Sequence, residues 1–198
     1  MTQAILTLLT AMVGYGGFAA ILQTIRWYKD RRANPVPQGL MDISKIYEIL
    51  QSTKSICGAS RVTLLKLHNG GGRPQAGNVM YSSALYEVYS GNNPIAQFWQ
   101  QERIDNDSTI RNLLIEMFDT DRARIETSLE DGGKLMDKNR ANKVTRSIFK
   151  SVGGKENEYY YLDVSFEDEE SFDKARESIE NESLRICANQ IKEILNCD

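Results

Sequence analysis

Residues 4–25 read AILTLLTAMVGYGGFAAILQTI and carry no charged side chain. A helix of this length matches the roughly 20 residues needed to cross the hydrocarbon core of a bilayer. It is the clearest signal in the 198-residue chain. Met1, Thr2 and Gln3 ahead of it bring no positive side chain, and the run is long for the apolar core of a cleaved leader, so a membrane-spanning segment is expected. Arg26, Lys29, Arg31 and Arg32 follow it, with Trp27 and Tyr28 at the level where interfacial aromatics are favoured. Cytoplasmic retention of that basic flank predicts a single-pass protein of the inner (cell) membrane, N-terminus out and body in the cytoplasm. Gly16 and Ala20 stand at small-xxx-small spacing, which suits close helix pairing and also recurs in apolar segments by chance. Thr7, Thr10, Gln23, Thr24 and three glycines temper the hydrophobicity, so a helix buried in an assembly or lying in the interface is the alternative.

The first domain boundary follows from this. Residues 1–32 form the membrane helix and its basic flank, residues 33–39 (ANPVPQG) read as a proline-broken linker, and residues 40–198 form one soluble domain. The net charge of −3 argues against a nucleic-acid partner, which needs a basic footprint to displace counterions. Three cysteines, Cys57, Cys187 and Cys197, show no CxxC spacing and indicate neither a disulfide framework nor a zinc finger. Cys57 and Cys187 fall among apolar helical positions, where a thiol acts as a small hydrophobe.

Along the soluble part, Asp42 is the expected cap of a first helix that stops at Gly58, with Ile43, Ile46, Tyr47, Leu50 and Cys57 on one face. RVTLLKL, residues 61–67, reads as a buried strand running into HNGGG, and residues 79–89 as a second strand antiparallel to it. Residues 94–103 and 108–118 carry helical periodicity, the second capped by Asp107 or Ser108. Residues 124–129 suit a short edge strand and 135–143 a polar turn of helix. Strands over 145–152 and 159–166 flank GGKENE as a hairpin turn; in the second, Tyr160, Leu162, Val164 and Phe166 share one face and Tyr159, Tyr161, Asp163 and Ser165 the other. Residues 171–195 close the chain as an amphipathic helix. The order predicts an α+β domain with an antiparallel sheet and flanking helices.

Chemistry is sparse. The only histidine, His68, excludes a His-rich metal centre, and neither GxSxG, HExxH nor an EF-hand loop is present. In LHNGGGR, successive glycine amides with Arg73 suit an anion, yet the Walker pattern and a following helix are missing. The plainer reading is a positive-φ turn at Asn69 and the glycines. The acidic run 167–170 reads as a solvated turn supporting the start of the last helix, and the tyrosines as sheet packing rather than base-stacking platforms.

Taken together, DISKIYEIL, SRVTLLKLHNGGG, MYSSALYEV and the strand ending YYYLDVSFEDEE resemble GAF-like domains, in particular the small membrane-anchored versions encoded by bacterial viruses and some bacteria. The resemblance covers residues 41–195 and implies a pocket between the sheet and the middle insert, with His68, Asn69, Arg73 and Tyr86 as lining residues for a small ligand. It shows no cyclic-nucleotide signature and no cysteine placed for a covalent bilin; the cysteines also do not suit the methionine sulfoxide reductases of this type. The expectation is therefore a non-enzymatic binding or regulatory module without cofactor, phage- or prophage-encoded and homo-oligomeric. A structural protein that oligomerises at the membrane or in a phage particle without a ligand is the alternative.

Overall fold

The computed structural model describes residues 35–69, 79–91, 94, 99–104, 107–120, 124–126, 134–155, 157–180 and 183–197. The expected membrane segment, residues 4–25, lies outside them, as does Arg73. Among the described residues no helix is long and apolar enough to cross a membrane. The chain divides into Met1–Met41 and Asp42–Asp198. Of the first unit, only the opening of helix α1 (Pro35–Cys57) is described.

That helix starts seven residues before the expected Asp42 cap, and it takes in Pro35 and Pro37 from the stretch expected to be a linker. Both prolines sit in the first turn, where backbone N–H groups have no intrahelical acceptor, so the missing donor costs nothing. The helix ends as expected at Gly58, whose φ of 62° lets the amides of Gly58 and Ala59 return to the carbonyls of Ser55 and Lys54.

Among its described residues the second unit contains a six-stranded antiparallel sheet in the order β3-β2-β1-β6-β5-β4. Its strands are β1 (Arg61–His68), β2 (Tyr81–Tyr89), β3 (Glu102–Arg103), β4 (Arg124–Glu126), β5 (Arg146–Lys155) and β6 (Glu158–Phe166). Helices α2 (Ser108–Thr120) and α3 (Lys134–Ala141) interrupt the strands, and α4 (Glu169–Glu180) and α5 (Ser183–Leu195) follow them. The antiparallel α+β architecture is the one expected. Three local expectations need correction, and of the two expected caps of α2 one is found. Residues 99–104 do not continue a helix: the amide of Ala84 donates to the Trp99 carbonyl at 2.8 Å, that of Ile104 donates to the Met80 carbonyl at 3.0 Å, and β3 pairs with β2. An open sheet edge outcompetes helical periodicity there. Helix α2 is capped by Asp107, whose Oδ1 accepts from the amides of Thr109 and Ile110 at 3.0 and 3.2 Å. The last helix is two, α4 and α5, and α4 is capped by Asp168, which accepts from Ser171 N at 2.7 Å.

The hairpin differs most. The glycines of GGKENE lie inside β5, where Gly153 pairs with Tyr160 and Gly154 with Tyr159 after a register shift between Ser151 and Gly153. A Cβ on Gly154 would stand 2.9 Å from the Tyr159 ring and 3.3 Å from the Glu158 carbonyl oxygen. Gly154→Ala is therefore expected to push that ring away from Phe118, its edge-to-face neighbour at 5.5 Å, and to lower stability by about 1 kcal/mol, read from the urea midpoint.

The sheet is covered on both faces, which is why β1 reads as a nearly unbroken apolar run. On one face Ile46 and Leu50 of α1 and Leu184, Ala188 and Ile191 of α5 pack on Val62, Leu64, Leu162, Val164 and Phe166. On the other, Ile110, Leu113, Leu114 and Met117 of α2 pack on Leu65, Leu67, Ala84, Phe149 and Tyr161. Cys57 and Cys187 are buried free thiols, and burial, reinforced by Cys187, pushes Cys57 up to about 11.

Candidate functional site

Strand pairing places the odd-numbered side chains of β1 and β6 in rows beneath α2. One row runs Glu87, Thr63, Asp163, Phe149; the next runs Ala84, Leu65, Tyr161; the next runs Ser82, Leu67, Tyr159. Ahead of them stand Arg61, Ser165 and Ser147. The face is thus polar at one end and apolar at the other.

Among the described residues two hollows lie along it, and Leu114 lines both. The inner one encloses about 20 Å³, enough for a single water-sized group, between Thr63, Leu65, Trp99, Asn139, Tyr161 and Asp163. The outer one is an open groove of about 530 Å³ bounded by Leu67, Met80, Ile104, Arg111, Ile115, Phe118, Asp119 and Tyr159. A volume of that size falls within the roughly 300–1,000 Å³ of small-molecule sites.

The polar groups around the inner hollow are held firmly. Trp99 Nε1 donates to Ser82 Oγ at 3.0 Å, and that oxygen lies 2.6 Å from the Tyr161 hydroxyl. Burial raises the Tyr161 phenol above its ordinary value, against the Ser82 hydrogen bond. Asp163 is enclosed by protein yet keeps some accessible surface, because it lines the hollow. Burial pushes its carboxyl up to about 6, opposed by hydrogen bonds from Ser165 and Ser147 and by Arg61, and reinforced by Glu87. Ser165 Oγ donates to its Oδ1 at 2.9 Å. Arg61 and Glu87, 4% and 3% exposed in their side chains, pair at 2.9 Å.

Of the four residues expected to line a pocket, Arg73 lies outside the described residues and the other three line neither hollow. His68 and Tyr86 share the α1/α5 side of the sheet, but Tyr86 pairs with Leu64, so about 13 Å of strand separates it from His68. His68 stands 3.0 Å from Ser83 Oγ and stacks on Tyr81, centroids 5.9 Å apart; burial, then Lys66, lowers its imidazole below the ordinary value. Tyr86 meets Tyr47 edge to face at 5.5 Å. Asn69 follows β1, half-buried. Asp163 went unmarked as a candidate, although one signal pointed to it: an aspartate amid YYYLDVSF, in a strand with apolar neighbours on both sides, demands partners that a surface strand would not supply.

No protein-family model and no curated relative matches the chain. Several solved structures are similar to it. GAF3 from Slr1393 of Synechocystis sp. PCC6803, in its photoproduct state, is 10% identical over 76% of this chain and 90% of that one, with a TM-score of 0.47. JSC1_58120g3, in a far-red absorbing dark state with bound biliverdin IXa, is 11% identical over 78% and 95%, with a TM-score of 0.49. The blue-light absorbing form of the Thermosynechococcus elongatus PixJ GAF domain is 15% identical over 78% and 92%, with a TM-score of 0.43.

Proposed function

We propose that this chain is a membrane-anchored, non-enzymatic GAF-like module, phage- or prophage-encoded, that binds a small and largely apolar molecule on the α2 face of its sheet. The observation that carries the reading is the groove of about 530 Å³, which shares Leu114 with a smaller inner hollow lined in part by Thr63, Asn139 and Asp163. An apolar mouth with a few converging polar groups is the usual form of a small-molecule site. The uncharged stretch 4–25 and its basic flank would hold the domain on the cytoplasmic side of the inner membrane.

The test is a thermal-shift screen of the full chain in detergent against small apolar and amphiphilic molecules. A ligand at about 100 times its Kd should stabilise the folded state by about 2.7 kcal/mol. Leu114→Trp, which enlarges the side chain that lines both hollows, should abolish that shift while the protein still melts cooperatively. A shift that survives Leu114→Trp unchanged would place the ligand outside the groove.

A second reading, self-association without a ligand, is favoured by the described part of the first unit, which exposes Val36, Leu40 and Met41 at 63%, 61% and 55%. An oligomer that dissociates on Leu40→Glu, with no ligand found for the groove, would decide for it.

A further inference from the structure

The inner hollow has a charge and hydrogen-bond pattern of its own. The Asp163 carboxyl lines this hollow, with the Arg61 guanidinium favouring its ionised form and Glu87 opposing it. Charge away from water is costly and is relieved by a proton or by an arriving cation. Asn139 and Thr63, each 4% exposed, also line the hollow. Neither side chain makes a hydrogen bond among the described residues, although most buried polar groups in folded proteins have a partner. Three polar side chains thus line a space the size of one water, Asp163, Asn139 and Thr63, and each has an oxygen able to accept a hydrogen bond.

An ammonium group is of that size, carries three N–H donors and no acceptor, and brings the charge opposite to a carboxylate's. We propose that the molecule taken by this groove is a primary amine, its ammonium held by Asp163, Asn139 and Thr63 and its apolar body lying past Leu114 among Leu67, Ile104 and Phe118. The inference rests on the reading of the groove as a ligand site and adds the chemistry of the head group. A carboxylate or phosphate head is repelled by the Asp163 carboxylate, and a hydroxyl head brings no opposite charge to it.

The experiment uses the full chain in detergent at neutral pH with three probes of one shape, phenethylamine, 2-phenylethanol and phenylacetate, followed by thermal shift and by calorimetric titration. Phenethylamine should bind about tenfold or more tightly than the alcohol, as expected for hydrogen bonds to a charged group, and phenylacetate should not bind. Asp163→Asn and Thr63→Val should each shrink the amine's advantage over the alcohol. Equal affinity for amine and alcohol, or an amine preference that survives Asp163→Asn, overturns the ammonium assignment and leaves the groove as a site. Should neither variant fold, the amine-to-alcohol ratio in the unaltered protein decides alone. Failure of all three probes to bind overturns the head-group assignment, and retention of other ligands in the wider screen would show that the groove reading survives it.

Discussion

Asp163→Asn should remove a pH-dependent loss of stability that the unaltered protein suffers between about pH 4 and pH 6. The carboxyl of Asp163 moves from 3.8 to about 6 on folding, chiefly through burial. Between those values the folded protein keeps a proton that the unfolded chain has released, so stability falls as pH rises through the window and levels off above it. About two units at 1.4 kcal/mol each amount to about 3 kcal/mol at most, since the group retains some accessible surface. Asparagine keeps the shape and still accepts from Ser165, but it cannot ionise. Denaturant midpoints at several pH values should show the two proteins alike near pH 4 and the variant more stable at neutral pH. Parallel curves throughout the window would mean that the carboxylate is solvated in the folded state.

Phe166→Ala should be among the most damaging single changes. Phe166 ends β6 with no exposed surface and meets Phe172 of α4 edge to face at 5.7 Å. Its carbonyl accepts from Thr145 N at 2.7 Å, fixing the start of β5 beside it. Phe172 is covered in turn by the Arg146 guanidinium at 5.6 Å, itself hydrogen-bonded through Nε to both oxygens of Glu169 at 3.0 and 3.1 Å. Truncating a buried phenylalanine costs about 3–5 kcal/mol, from lost transfer energy and the cavity left behind. A domain whose whole stability is about 5–15 kcal/mol would lose much of it. The urea midpoint should fall with the slope unchanged, while Arg146→Ala, which removes only the exposed cover and its ion pair, should cost about 1 kcal/mol or less.

Where the two-residue or 3.6-residue period was strong, local sequence and fold agree. The alternation in YYYLDVSF assigns its even positions to the α1/α5 core, as found, and Gly58 stops α1 because only the left-handed conformation turns the chain there without strain. Agreement fails where a tertiary partner outcompetes a local tendency. The unpaired edge of β2 claims residues 99–104 as extended chain, and cross-strand pairing draws Gly153 and Gly154 into β5 although their composition suggested a turn.

The site follows the same division. LHNGGGR stood out because glycines, an imidazole and an arginine in a row are locally conspicuous, yet β1 sends His68 to the face away from the groove. By itself, the sequence determined the alternation of faces, the helix stop at Gly58 and the order of elements, since periods and caps are set by neighbours a few residues apart. Only the tertiary structure decided which face is hollow and which groups meet in it. Thr63, Asn139 and Asp163 come from three distant stretches, and their grouping exists only once strand register and the packing of α2 and α3 have brought them around one water-sized space.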